Sequence, residues 1–120
     1  MQKKKISIVV TSFSRSEFGL LYSTLKQIQN DKFFNLNLLI SGSHLSKNKG
    51  YTVNEVKNLG FKKFSSVKMN LNNDKKDYLS KSVGSLTINL TKKIKKIHPD
   101  LILCMGDRYE LLALGTVATI

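Results

Sequence analysis

Leu101–Glu110 reads LILCMGDRYE, and the reading of this stretch decides the fold. Leu101 to Met105 is a continuous apolar run, too short for a helix, bounded by Pro99-Asp100 before it and Gly106-Asp107 after it. Such a run predicts a strand buried on both faces, as in a parallel sheet. Gly106 breaks the strand. Asp107 then stands as a candidate helix N-cap with Glu110 three residues on, and the chain from Tyr109 is expected to be helical. Strand, tight turn and helix N-terminus follow one another, with a carboxylate and an arginine at the turn. In open α/β sheets ligands bind at the carboxyl ends of strands, and helix N-termini attract anions. Asp107 is either a cap alone or a functional carboxylate, and Arg108 is either solvated or directed at a ligand.

The same punctuation recurs upstream. Ile6–Thr11 (ISIVVT) predicts a first strand, and Ser14-Arg15-Ser16-Glu17 has the spacing of a capping box. The helix it opens has Leu20, Leu21, Leu25 and Ile28 as its expected apolar face and stops at Asn30-Asp31. Leu36–Ile40 is the second strand, running into a loop over Ser41–Tyr51 that contains His44. Thr52–Glu55 is a second capping box, opening a short helix that ends at Gly60. Phe64–Leu71 alternates weakly and predicts a third strand nearer an edge. After a polar loop at Asn72–Asp77, Leu79, Val83, Leu86, Leu90, Ile94 and Ile97 mark one face of a long helix over Tyr78–Ile97. His98-Pro99 ends it, with His98 expected as a capping or surface residue. The order β-α-β-α-β-α-β-α implies parallel pairing and a doubly wound, Rossmann-like α/β sheet.

The chain of 120 residues suits one domain with a real core. The last helix, Leu111–Ile120, is apolar almost all round and is expected to be buried between layers, yet it lacks a C-cap or polar tail. This, and a sheet of only four strands, leads to the expectation of a truncated domain. The lone Cys104 falls inside the predicted strand, which suggests core filler and a reducing compartment. The N-terminal apolar run is too short for a signal peptide or a membrane span, so a soluble, cytoplasmic protein without a membrane partner is expected. The formal net charge is +12, but all basic residues except Arg15 and Arg108 are lysines, scattered in pairs over several elements without an aromatic stripe. That favours a solvated lysine surface over a nucleic-acid partner.

The two arginines fall in the loops after the first and fourth strands, which commonly neighbour each other at the switch point of a doubly wound sheet. Arginine grips phosphate through a planar fork that lysine cannot reproduce. Together they fit a diphosphate or nucleotide ligand; the alternative is that Arg15 pairs with Glu17 and Arg108 with Glu110. No GxGxxG and no GxxxxGK[ST] occurs, which argues against a standard NAD site and a P-loop. His44 and His98 are isolated, and no Cys/His spacing suits zinc, so no cofactor or metal is expected. His44 is expected on the same sheet edge as the arginines, either lining the cleft or solvated.

On TSFSRSEFGLL (Thr11–Leu21), SGSHLS (Ser41–Ser46) and above all HPDLILCMGDRYELLAL (His98–Leu114), the chain resembles the hydrolysing UDP-N-acetylglucosamine 2-epimerases of sialic-acid and related nonulosonic-acid pathways. The order and spacing of all three stretches match, and they cover the N-terminal portion of such an enzyme. The resemblance implies a GT-B-type fold of two Rossmann-like domains with the active site between them. Residues 1–120 would be the N-terminal one, and the C-terminal UDP-binding domain would lie beyond them. It implies release of UDP from UDP-N-acetylglucosamine by elimination, then addition of water to a glycal-like intermediate, giving UDP and N-acetylmannosamine. It also implies Asp107 as a catalytic acid, Arg15, Arg108 and His44 toward the UDP-sugar, and a homo-oligomer, dimer or tetramer, of the full-length enzyme. Ser16 and Phe18 depart from the family's usual alanine and frequent tyrosine. Alternatives are a related epimerase of the legionaminic-acid route acting on a UDP-diacetamido-trideoxy sugar, a GT-B glycosyltransferase domain, and a non-catalytic nucleotide-binding module.

Overall fold

The computed structural model describes residues 5–41, 53–61, 63–69, 78–106 and 109–119, and for residues 15, 53, 54 and 78 the backbone alone. Strand and helix alternate in it as β1 (Ile6–Ser12), α1 (Arg15–Asn30), β2 (Phe34–Ile40), α2 (Val53–Asn58), β3 (Phe64–Ser66), α3 (Tyr78–Ile97), β4 (Leu101–Leu103) and α4 (Glu110–Thr119). Every strand pairing is parallel, in the order β3-β2-β1-β4. Ile6 to Ser12 pair with Phe34 to Ile40 of β2, and Ile8 to Val10 pair with Leu101 to Leu103 of β4. The chain therefore steps outward from β1 to β3, then returns to the other side of β1. That reversal is the topological switch point, and it lies between β1 and β4.

Successive side chains of a strand point to opposite faces, and along β1 this divides the core in two. Ile8 and Val10 join Phe18, Leu21 and Leu25 of α1 and Val56 of α2. Val9 and, just past β1, Phe13 join Leu86 and Leu90 of α3 and Ala113 and Leu114 of α4. Helices thus cover both faces of the sheet, as the doubly wound reading requires. α3 spans the residues expected of it and packs Val83, Leu86, Leu90, Ile94 and Ile97 inward, with Lys92, Lys95 and Lys96 exposed.

α3 ends at an exposed His98 with φ +53°, whose N–H donates to Ile94 O at 2.9 Å. A left-handed residue at a helix end followed by proline is a firm stop. Asp100 then fixes the start of β4: its N–H donates to Ser7 O and its Oδ2 accepts from Ser7 N–H, both at 2.8 Å.

The structure revises several expectations. β4 has three residues and is an edge strand, with Leu101 52% exposed; it is not buried on both faces. Cys104 lies past its end and is exposed, so it is not core filler. The reason is positional: β4 has β1 on one flank and, among the described residues, no strand on the other. β3 is similarly short. Val67 and Met69 still reach the core beneath α3, after the backbone has left regular strand geometry. On α1, Phe18 takes the buried stripe with Leu21 and Leu25, while Leu20 points to solvent. Leu79 at the start of α3 is exposed as well. α4 packs one face only: Glu110, Ala113 and Leu114 are buried and Leu112 is exposed. Among the described residues no helix is long and apolar enough to cross a membrane.

Candidate functional site

The turn from β1 into α1 is built by the capping box that the sequence announces. Ser14 is the N-cap, with extended backbone, and its Oγ accepts from Glu17 N–H at 3.3 Å. In the usual box the acid returns to the N-cap N–H. Here Glu17 reaches one residue farther. Its Oε1 accepts from Phe13 N–H at 3.2 Å, and its Oε2 accepts from Ser14 Oγ at 3.3 Å. Ser12 Oγ adds a bond to Ser14 O at 3.2 Å. Ser41, just past β2, donates its N–H to Ser12 O at 3.1 Å and its Oγ to Val67 O. Buried serines therefore tie the carboxyl ends of β1 and β2 to the segment that follows β3. Thr11 Oγ1, also buried, has no hydrogen-bond partner among the described residues, an arrangement that costs about 1–3 kcal/mol unless something supplies one.

At the neighbouring strand the turn is made by Gly106, whose φ of +101° is left-handed backbone open to glycine. Gly106 faces Glu17 across a gap that a methyl would fill: a Cβ built there would be 3.7 Å from Glu17 Cδ and 3.8 Å from Oε2. Gly106 and Glu17 are neighbours because β1 and β4 are paired. α4 then opens at Glu110, its first residue, with no exposed surface. The capping-box spacing from Asp107 would instead make Glu110 the third residue of the helix.

Both α1 and α4 present their N-termini at this end of the sheet, beside the switch point, where partial positive charge favours an anion. Arg15 is the first residue of α1. Asp107 and Arg108 fall in the gap between Gly106 and Tyr109, and His44 falls past Ser41; all three lie outside the described residues. Of the expected site, then, the structure brings together the two loops and the start of α1. It also adds two groups that the sequence reading assigned only structural parts. Glu17 is 7% exposed and Glu110 fully buried, so both carboxyl groups belong to the interior of this edge. The available signal was their placement: of eight acids in the chain, one opens the helix after β1 and one opens the helix after β4.

Comparison with known proteins agrees with this architecture. Residues 26–120 match the family model described as UDP-N-acetylglucosamine 2-epimerase. The chain is 36% identical over 117 residues to a GDP/UDP-N,N'-diacetylbacillosamine 2-epimerase (hydrolyzing) of Campylobacter jejuni, covering 98% of this chain and 30% of that protein. It is 29% identical over 111 residues to a UDP-N,N'-diacetylbacillosamine 2-epimerase (hydrolyzing) of Legionella pneumophila, covering 92% and 29%. Among solved structures, a putative UDP-N-acetylglucosamine 2-epimerase from Listeria monocytogenes superposes with a TM-score of 0.79 at 15% identity, over 98% of this chain and 29% of that one. The chain thus spans under a third of the length of the relatives it matches. Its fold is that of their N-terminal Rossmann-like part, and the match over residues 26–120 makes the chain a member of the UDP-N-acetylglucosamine 2-epimerase family.

Proposed function

We propose that these residues form the N-terminal domain of a hydrolysing UDP-sugar 2-epimerase. Its substrate would be held between this domain and a second, UDP-binding one. The observation that carries the reading is the position of Gly106 and Glu110, the described ends of the GDRYE stretch. β4 delivers Gly106 to the switch point beside the SRSE turn of β1, in a chain of this family. The reaction breaks the C2–H bond and the C1–O bond to UDP, leaving a glycal-like intermediate. Water then adds its hydroxyl at C1 and a proton returns to C2 on the opposite face. Departure of UDP gathers negative charge on the diphosphate. Arg15 and Arg108 are assigned to stabilise it more in the transition state than in the ground state, with His44 as a further contact in the cleft. Removing and restoring the C2 proton requires carboxyl groups of differently tuned pKa. Asp107 is assigned as one of them, with the others supplied by chain beyond these residues.

UDP-N-acetylglucosamine, giving N-acetylmannosamine, is the first substrate reading. A UDP-diacetamido-trideoxy sugar is the second. It is favoured by identities of 36% and 29% to enzymes named for diacetylbacillosamine, against 26% to a UDP-N-acetylglucosamine 2-epimerase of Neisseria meningitidis. Offering the complete gene product each sugar nucleotide without an acceptor decides between them, and acceptor-independent release of UDP separates both from a glycosyltransferase. Asp107→Asn tests the site. The amide is nearly isosteric and can still cap a helix, so the melting temperature should hold. A positioned acid or base contributes about 100-fold or more to kcat, and that much should be lost. Normal turnover in an intact Asp107→Asn protein removes Asp107 from the chemistry.

A further inference from the structure

β4 carries Gly106 to the switch point, yet the side chains of β4 do not specify how far it reaches. Register is strongly specified where apolar and polar residues alternate, because a slip of one residue turns every side chain to the other face. Leu101 to Met105 are apolar throughout. Ile102 packs on the α3–α4 side of the sheet, and Leu103 and Met105 on the α1 side. A one-residue slip would still offer an apolar side chain to each. Backbone pairing does not decide either, since the ladder is the same in every register. The strand is also short: three of its residues pair with β1, and no strand lies on its other flank among the described residues. Each residue of slip would displace Gly106 by about 3.3 Å along the sheet.

What singles out the observed register lies just before the strand. Asp100 is exposed and meets Ser7 twice: its N–H donates to Ser7 O and its Oδ2 accepts from Ser7 N–H, both at 2.8 Å. Successive N–H groups of a strand point to opposite flanks. Ile6 N–H, on one side of Ser7, is given to Phe33 O at 2.9 Å, and Ile8, two residues on, turns its N–H to that same flank. A slip of one residue therefore leaves the Asp100 carboxylate without a backbone donor facing it. Larger slips are opposed by α3, which stops two residues earlier at His98, φ +53°, and keeps Asp100 in the neighbourhood of Ser7. The helix end sets the neighbourhood, and the carboxylate chooses the residue.

We infer that Asp100 is a positioning residue: its carboxylate, held on Ser7 N–H, sets the register of β4 on β1 and thereby the place of Gly106 beside the N-terminus of α1. The kinetic half of this inference rests on the epimerase reading above; the structural half does not.

Methyl–methyl NOEs in the complete gene product read the register directly. Val10 is partnered by Leu103 of β4 and by Leu38 of β2, and all three lie on the α1 side. Asp100→Ala removes the acceptor, and one hydrogen bond to a charged group shifts an equilibrium by about 10-fold or more. The Val10–Leu103 cross-peak should therefore fall to about half of wild type or less. The Val10–Leu38 cross-peak should hold, which shows that the rest of the sheet is intact. Asp100→Asn keeps an oxygen in the same place and should keep the Val10–Leu103 cross-peak within about a fifth of wild type. Asp100→Leu continues the apolar run without an acceptor. It should lose the cross-peak as Asp100→Ala does, and it serves should Asp100→Ala fail to fold. The kcat/KM for UDP release should follow the same order, down about 10-fold or more for Asp100→Ala and within about 3-fold for Asp100→Asn. An unchanged Val10–Leu103 cross-peak in Asp100→Ala or Asp100→Leu would assign the register to the packing of α3 and α4 and overturn the inference. So would an Asp100→Asn protein that loses the cross-peak as fully as Asp100→Ala, because the accepting oxygen would then not be what acts. A wild-type protein that releases no UDP defeats the epimerase reading, and the NOE comparison still decides the role of Asp100.

Discussion

β1 and β4 are made of similar apolar runs, ISIVVT and LILCM, and lie side by side in the sheet. Their surroundings differ. Val9 and Val10 of β1 have no exposed surface, whereas Leu101 of β4 is half exposed and Cys104 beyond it is exposed. A strand becomes interior when it has neighbours on both flanks and helices on both faces. β1 has all four; β4 has one flank open among the described residues. Composition specifies that a run can be buried, and topology determines whether it is.

The largest effect should come from breaking this contrast directly. Val10→Asp places an unpaired carboxylate in the core beneath α1, beside Phe18 and Leu25, and should cost more than about 4 kcal/mol, enough to unfold an ordinary domain. Leu101→Asp, on the open side, should cost less than about 1 kcal/mol. Denaturant unfolding of the complete gene product measures both. Equal damage at the two positions would mean that further chain covers β4 in the complete protein, and the contrast would then belong to residues 1–120 alone.

A smaller effect compares the two turns rather than the two strands. Arg108→Lys keeps the charge and loses the bidentate fork, and should cost about 2–3 kcal/mol in kcat/KM, the scale of a charge-assisted hydrogen bond. If Arg15 and Arg108 share one diphosphate, Arg15→Lys should be non-additive with it in a double-mutant cycle. Strict additivity, with intact folding, would assign the two arginines to separate partners.

These contrasts also mark how far the sequence could be read. The element order, the long helix Tyr78–Ile97 and the Ser14–Glu17 cap were legible because each rests on local spacing. The exposure of Leu20, Leu101, Leu112 and Cys104 was not, because it depends on which neighbours arrive from elsewhere in the chain. The site was half legible. Gly106 announces a turn wherever it stands, and pairing of the first and fourth strands follows from the usual order of such sheets. That Glu17 would pass its own N-cap, bond to Phe13 and come to face Gly106, far away in sequence, depends on the pairing of β1 with β4, and no local pattern encodes it.

Next in size is Gly106→Ala. The added methyl meets nothing closer than 3.7 Å, so the penalty comes from the backbone, whose φ of +101° disfavours any L side chain. About 1–2 kcal/mol of stability should be lost. A larger loss would indicate that the space beside Glu17, 3.7 Å from the added methyl, is tighter than this and that Glu17 cannot yield to it.

The smallest effect is expected at Cys104. An exposed residue past the end of an edge strand contributes little, so Cys104→Ser should change stability by less than about 0.5 kcal/mol. The thiol itself is the more sensitive probe. Exposed in these residues, it should react with an aromatic disulfide reagent in the native protein about as fast as in denaturant. Protection in the complete gene product that vanishes on unfolding would show that chain outside the described residues lies over the end of β4. A protected thiol together with a tolerated Leu101→Asp would place that cover over the turn rather than over the strand. The open flank would then be a property of the strand itself, and the turn that carries Gly106 would be the part shielded by the rest of the protein.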